Sequence, residues 1–260
     1  MSLTIADVER VNAPYPADAL KPVHYPDSDG NRMADNTRQF RYIATLKGGF
    51  DNYYRQRDDV FVAGDLLWYP IEGDNKTRYA PDVMIAFGRP PGDRGSYKQW
   101  EENNQPPNVV FEVMSPGNTA SEMANKLHVY DRLGVDEYYV YDPDRGELSG
   151  WIRNEAGGGL EEIADMQGWQ SPLTQVTFRL DGDHLEVMRP DGEVFLTPVE
   201  MGFALDAERQ RADEERQRAD EERQRADVER QRAEASELRA ASLAERLRKL
   251  GIDPDAGDQV

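Results

Sequence analysis

The sequence predicts an α/β protein: a mixed β-sheet core flanked by helices, followed by a long charged C-terminal helix or coiled coil. Short apolar runs typical of buried strands occur between residues 60 and 142, and an amphipathic stretch separates two of them. The order strand, strand, helix, strand predicts a mixed sheet covered by helices. From residue 205 a seven-residue repeat replaces this pattern, which predicts a separate helical segment.

Length and composition favour one domain with an appendage. The chain has 260 residues, 38% of them hydrophobic. No apolar run reaches about 18 residues, so no membrane span is expected, and the stretch MSLTIADVER lacks the basic and apolar regions of a signal peptide. The absence of cysteine excludes disulfides and thiolate zinc sites and fits a cytoplasmic protein. Three histidines argue against a His-rich metal site.

Residues 1–35 are predicted to form an extended N-terminal arm, because this stretch is rich in Pro, Asp and Gly. The folded domain is expected to span residues 36–204. Its first helix is expected to begin near Asn36, where Asn36 or Thr37 can serve as the N-cap before apolar residues at helical spacing.

Three apolar runs follow as candidate strands. The first, residues 60–70, is predicted to break or bend at Gly64 and to end at a proline. The second and third, 83–87 and 109–114, are continuous runs of the kind found in buried strands. The loop between them, 88–107, is long enough to suggest a functional role.

A helix is predicted from about Thr119 to Leu133, because its apolar residues share one face and Gly134 can end it. The run EYYVYD at 137–142 predicts the next strand. Shorter strands of an antiparallel edge or flap are expected around four apolar positions: Trp151, Val176, Leu185 and Val194.

The segment 205–250 repeats the text AERQRAD with small changes. One core position of its heptads holds Ala as far as Ala240 and then Leu247, and the other holds Glu as far as Glu229, then Ser236, Leu243 and Leu250. Acid–Arg pairs four residues apart favour a solvated single helix, whereas the leucines favour an oligomerisation stalk or an arm for a protein partner. Both interpretations stand. Residues 251–260 are predicted to be a disordered tail.

Two carboxylates within the apolar runs are the main functional signal. Asp82 begins one run and Glu112 lies inside the other, 30 residues later. A carboxylate is costly to bury unless a proton, a cation or a donor compensates it. Adjacent strands would bring the two together, and hard oxygen ligands favour Mg²⁺, with Mn²⁺ as an alternative.

A lysine near such a site can orient or activate a water and offset charge on a phosphate. Strand alternation points position 114 the same way as Glu112, but this position holds Met. Lys126, on the following helix, is the nearest alternative, in a polar stripe with Glu122 and Tyr130.

The net charge of −19 argues against a large nucleic-acid surface built by this chain alone. Residues 205–260 contain 16 acidic and 12 basic side chains, a net of −4, so residues 1–204 carry −15. The basic residues nearest to a patch are scattered along the loop: Arg89, Arg94 and Lys98.

Four motifs in order resemble the Uma-type family (Uma two), whose members are assigned as candidate endonucleases of the PD-(D/E)XK, restriction-endonuclease-like fold. The matching stretches are Pro81-Asp82-Val83, Glu112 to Pro116, Lys126 to Tyr130, and Gly134 to Pro143, and the resemblance covers roughly residues 36–200. The chain departs from the family in lacking a His near the start of the first helix, where it reads DNTRQF.

The resemblance implies a restriction-endonuclease-like domain and metal-dependent cleavage of DNA. It implies that Asp82 and Glu112 are the metal ligands, that the backbone carbonyl of Val113 adds a ligand, and that Lys126 is a displaced catalytic lysine.

Several alternatives stay open from the residues themselves. Asp82 can cap a turn, Lys126 can pair with Glu122 in solvent, and Tyr130 can simply pack against the sheet. Asp65 either approaches the same site or reflects a bend at Gly64. At the level of function, the rival of a nuclease is a catalytically silent module that assembles through its C-terminal helix. A third hypothesis is an enzyme whose partner supplies the basic DNA-binding surface.

Overall fold

A computed structural model describes residues 23–28, 30, 36–154 and 158–251. Most of the predicted arm and the predicted disordered tail, apart from Gly251, lie outside these described residues. The chain divides into two compact units, residues 1–200 and 201–260.

Within the described residues of the first unit, six of the ten strands form a mixed sheet. In chain order the strands are β1 (Val60–Gly64), β2 (Trp68–Tyr69), β3 (Val83–Phe87), β4 (Tyr97–Lys98), β5 (Val109–Val113), β6 (Glu137–Asp142), β7 (Glu147–Arg153), β8 (Leu160–Glu162), β9 (Thr177–Asp181) and β10 (His184–Met188). The sheet order is β1-β3-β5-β6-β7-β8, with β5 and β6 parallel and every other neighbouring pair antiparallel. Two further two-stranded sheets pair β2 with β4 and β9 with β10. The predicted mixed α/β fold is confirmed.

Helix α1 (Thr37–Tyr54) covers one face of the sheet. It begins where predicted, because the Asn36 side chain accepts hydrogen bonds from the backbone N–H groups of Arg38 and Gln39. Its apolar residues pack with the α1-facing side chains of the strands, including Val83, Phe111 and Tyr139. Burial of this face stabilises the helix more than its own propensity does.

Helix α2 (Ala120–Leu133) joins the parallel strands β5 and β6 and packs on the opposite face. Thr119 and Glu122 form a capping box at its start, and Gly134 ends it at φ 90°. Because a parallel pair needs a crossover connection, the helix returns over the sheet and passes beside Glu112 on β5.

The predicted break of the 60–70 run at Gly64 is confirmed, and two separate strands occupy this region. β1 ends at Gly64, and Asp65 takes a left-handed conformation at φ 47°. Its N–H donates to the Asp82 carbonyl before the chain leaves the main sheet for β2. The loop predicted at 88–107 likewise contains β4 and a 3₁₀ helix, Gln99–Glu102. Near Val194 the structure has only an isolated bridge to Met188.

Helix α3 (Pro198–Lys249) starts seven residues before the predicted boundary at 205. Within its described length no residue is buried, and ion pairs such as Glu214–Arg218 and Glu221–Arg225 lie at 3.9 and 3.8 Å. Exposed pairs of this kind contribute little, about 0.3–0.5 kcal/mol each. No helix among the described residues is both long and apolar enough to cross a membrane.

Candidate active site

The two carboxylates lie at one end of the main sheet. Val83 is paired with Phe111 in the antiparallel β3–β5 ladder, so Asp82, just before β3, comes opposite Glu112. Asp82 is 9% exposed and Glu112 is 3% exposed. The sequence prediction that adjacent strands would bring these two side chains together is therefore correct in its geometry.

Asp82 is held by a backbone donor. Its Oδ2 accepts a hydrogen bond from the Val113 N–H at 2.7 Å. Burial, followed by the nearby Glu112 carboxylate, raises the pKa of Asp82 to about 8, against the opposing influence of Lys126 and the Val113 N–H. Burial and the neighbouring carboxylate therefore disfavour a second negative charge at Asp82.

Glu112 has a partner for each oxygen. Lys126 Nζ lies 2.7 Å from Oε2, and the Tyr130 hydroxyl donates to Oε1 at 2.8 Å. This arrangement resolves the alternatives for two residues, since Lys126 pairs with Glu112 rather than with Glu122, and Tyr130 both packs and bonds to the site. Glu122 instead accepts from the Thr119 N–H in the capping box.

Lys126 is a charged donor in this arrangement. Burial alone would lower the pKa of its ammonium group, but the Glu112 and Asp82 carboxylates outweigh burial and raise it. The residue therefore supplies positive charge and hydrogen bonds at neutral pH, and it is a poor proton acceptor.

The Tyr130 hydroxyl is fixed by its ring. The side chain is 1% exposed and stacks on Trp68 at 6.2 Å between ring centroids, while Tyr79 and Tyr138 contact it edge-on. Burial and the adjacent Glu112 raise its pKa well above the ordinary value, so it remains a neutral donor.

Gln39 is a site neighbour that sequence reasoning missed. It lies in the first turn of α1, is 7% exposed, and donates from Nε2 to the Val113 carbonyl at 2.8 Å. The sequence signal available was weak: an amide side chain on the face of α1 that is otherwise apolar or aromatic.

Two other residues lie at the edge of this arrangement. Asp65 is close enough to raise the pKa of Asp82 slightly, as the last of its causes. Met114, at the position where a strand lysine would lie, is half-buried.

The donor set fits a divalent cation that keeps several waters. In the part of the chain that the structure describes, no three His, Cys, Asp or Glu side chains gather into a metal-binding group. The available oxygens are the two carboxylates and the Val113 carbonyl, a set that Mg²⁺ accepts because it is commonly bound through one or two carboxylates plus water. Two carboxylates against one lysine also leave one excess negative charge, which a bound cation would offset.

Two of the three basic residues of the 88–107 loop are paired with carboxylates. Arg94 pairs with Glu102 at 2.6 Å and lies over the Phe61 ring, and Lys98 pairs with Glu101 at 3.2 Å. Their positive charges are therefore largely offset by neighbouring carboxylates.

Comparison with known proteins places the chain in a family. A model of the Uma2 family, described as "Putative restriction endonuclease", matches residues 33–183, more than half of the chain. Among solved structures the chain is similar to one described as "a putative nuclease belonging to DUF820", from Anabaena variabilis ATCC 29413, at 12% identity and a TM-score of 0.39, over 53% of this chain and 72% of that one. No curated protein matches. On the extent of the family match, the chain belongs to the Uma2 family.

Proposed function

We propose that this protein is a divalent-metal-dependent endonuclease that hydrolyses DNA phosphodiester bonds. The observation that carries the proposal is the buried pair of Asp82 and Glu112 on adjacent strand ends, with Lys126 bonded to Glu112. Family membership supports nucleic acid as the substrate. Two carboxylates and an ammonium group in one buried corner are difficult to explain by stability alone, since burying them costs free energy that close pairing only partly returns.

Each residue has a distinct part in the proposed reaction. Asp82 and Glu112 would hold Mg²⁺, with Mn²⁺ as a substitute, and the Val113 carbonyl would add an oxygen. The cation would neutralise the scissile phosphate and make a nearby water more acidic. The water oxygen would form a bond to phosphorus and release a proton to solvent, while the P–O bond to one sugar breaks and that sugar oxygen takes a proton from solvent and leaves as a hydroxyl. Lys126 would orient the water and balance the charge that develops on the phosphate oxygens.

A cleavage assay tests this proposal. Wild type should nick or cut DNA in Mg²⁺ or Mn²⁺ and lose activity in EDTA. Asp82→Asn and Glu112→Gln should reduce the rate by at least about 10²-fold while the domain stays folded, because each removes an anionic ligand without removing bulk. Either variant cutting at the wild-type rate would refute the assignment.

Glu137→Gln is the matched control. Glu137 is also a fully buried carboxylate in the same sheet, at the start of β6, and it bonds to Tyr139, Ser171 and the Leu173 N–H. Its removal should change stability without changing the metal-dependent cleavage rate of the folded protein.

A catalytically silent interaction module is the second candidate, because the net charge of −19 opposes binding to DNA. On this alternative the domain would serve as a binding body and the segment 205–250 as its assembly arm. It predicts that neither Mg²⁺ nor Mn²⁺ stabilises the protein, whereas the endonuclease proposal predicts that both do.

A further inference from the structure

The Val113 carbonyl is an acceptor that the sheet leaves without a backbone partner on the β3 side. Val113 ends β5, and its N–H points towards β3, where it donates to the Asp82 side chain. The next N–H, from Met114, donates to the Tyr141 carbonyl on the β6 side. Since backbone groups alternate in direction along a strand, the Val113 carbonyl also faces β3.

A proline stands where the missing donor would be. The register Val83 to Phe111, continued by two residues, brings residue 81 opposite Val113. The Asp82 carbonyl accepts from the Asp65 N–H on the β1 side, so the backbone of residue 81 faces β5. Residue 81 is Pro and has no N–H. Pro81, which directly precedes Asp82, therefore removes the ladder hydrogen bond that the Val113 carbonyl would otherwise accept.

Gln39 takes that place from the opposite layer of the fold. Its Nε2 reaches the carbonyl at 2.8 Å in a bond buried from solvent. The Asn36 side chain accepts from the Arg38 and Gln39 N–H groups, which fixes the start of the helix from which the Gln39 amide extends. A carbonyl oxygen has two lone pairs, and a side-chain donor that uses one can leave the second for a cation.

We propose that Gln39 is a positioning residue of the cation site: it orients the Val113 carbonyl so that this oxygen serves as the third protein ligand beside Asp82 and Glu112. The inference rests on the proposed function in that it requires a cation there. It goes further by assigning a role to a residue on α1 and to the missing N–H of Pro81.

Titration of the full-length protein with Mn²⁺, followed by calorimetry, tests the inference without relying on cleavage. Gln39→Met keeps the length of the side chain and removes the donor, and should weaken Mn²⁺ binding by about 10-fold or more, the range for outer contacts of metal ligands. Ile43→Val is the control: it reduces a buried side chain one turn along α1 and should leave the Mn²⁺ affinity unchanged. Gln39→Met binding Mn²⁺ as tightly as wild type would overturn the inference.

Pro81→Ala tests the inference independently, and this test remains available if Gln39→Met fails to fold. The new N–H at residue 81 would donate to the Val113 carbonyl beside Gln39, so Mn²⁺ binding should weaken in this variant. In the double variant Gln39→Met/Pro81→Ala the new N–H replaces the lost amide, and the affinity should recover towards wild type. A purely structural role predicts the opposite, since two destabilising changes would add, and additive losses would refute the proposal.

The wild-type titration separates the two claims. If wild type does not bind Mn²⁺, the proposed function fails and the Gln39 role fails with it. If wild type binds, Glu112→Gln does not, and all Gln39 and Pro81 variants bind normally, then the cation site stands and only the role of Gln39 is refuted.

Discussion

The chemistry of Lys126 depends on the two carboxylates beside it. Its ammonium group lies 2.7 Å from Glu112, and both site carboxylates raise its pKa, so it acts as a fixed positive charge. We expect Lys126→Met to lower the cleavage rate by about 10²–10⁴-fold, in the range for loss of a positioned proton or charge donor. Mn²⁺ affinity should not fall, because the variant removes a cation that competes for Glu112.

Cleavage rates and Mn²⁺ titrations of the same preparations check this prediction. Lys98→Met is the control, since Lys98 pairs with the exposed Glu101 rather than with Asp82 or Glu112. Full activity in Lys126→Met, or an equal loss in Lys98→Met, would remove Lys126 from the proposed reaction.

Tyr130 and Tyr138 offer a matched pair of phenols. The Tyr130 hydroxyl donates to Glu112, whereas the Tyr138 hydroxyl is buried and, within the described residues, has no hydrogen-bond partner. We expect Tyr130→Phe to lower the free energy of unfolding by about 1–3 kcal/mol, because it leaves a buried charged acceptor with one bond fewer. Tyr138→Phe should be neutral or slightly stabilising. Urea unfolding of both variants decides the point, and equal effects would contradict the role given to Tyr130.

The raised pKa of Asp82 predicts an unusual pH dependence of the free energy of unfolding. This pKa is raised by burial from 3.8 to about 8 in the folded protein, so the folded state binds a proton that the unfolded state has released. Stability without metal is then highest below about pH 4 for this group and falls as pH rises towards 8, by at most about 1.4 kcal/mol per pH unit. Asp82→Asn should flatten this slope. Urea unfolding in EDTA between pH 5 and 8 tests it, and identical slopes in both proteins would contradict it.

The sequence predicted the acidic and basic members of the site but not their hydrogen-bond partners. Asp82 and Glu112 are conspicuous because a charge inside an apolar run is rare, and Lys126 follows from helical spacing. Gln39 bonds to a backbone carbonyl 74 residues away, a contact that depends on how α1 packs against β5 and leaves no pattern in the chain.

At the scale of elements, α2 determines where Lys126 and Tyr130 point. Its start is fixed by the capping box of Thr119 and Glu122. Thr119→Ala should lower the free energy of unfolding by about 1 kcal/mol, the usual cost of losing such a cap. Thr45→Ala inside α1 is the control and should be neutral or stabilising, because alanine is the better helix former there. Thermal melts of both variants test the prediction, and a neutral Thr119→Ala would show that packing alone holds the helix.

Elements with strong local signals were predicted accurately, and those set by distant contacts were not. The start of α1 and both ends of α2 follow from Asn36, Thr119 and Gly134, which act within one turn of the chain. Gly64 predicts the break after β1, but the bond from the Asp65 N–H to the Asp82 carbonyl that accompanies this break leaves no pattern in the local sequence. Whether α3 remains a solvated helix or assembles through Leu243, Leu247 and Leu250 is still a prediction in both forms.

At the scale of the whole molecule, net charge restricts how DNA can approach. Non-specific DNA affinity comes mostly from Lys and Arg contacts to phosphates. This chain carries −19, and its loop cations Arg94 and Lys98 are already paired with Glu102 and Glu101. On the endonuclease proposal, the bound cation or a partner with a basic surface must therefore supply much of the attraction for phosphate.

A cation site formed by Asp82 and Glu112 is tested most directly by thermal melts of wild type and Glu112→Gln with and without Mn²⁺. At about 100 times its dissociation constant, a cation that binds only the folded state stabilises it by about 2.7 kcal/mol, or roughly 5–10 °C for a domain of this size. We expect that rise for wild type and none for Glu112→Gln. Equal midpoints for wild type with and without Mn²⁺, or equal rises in both proteins, would contradict the assignment of this cation site.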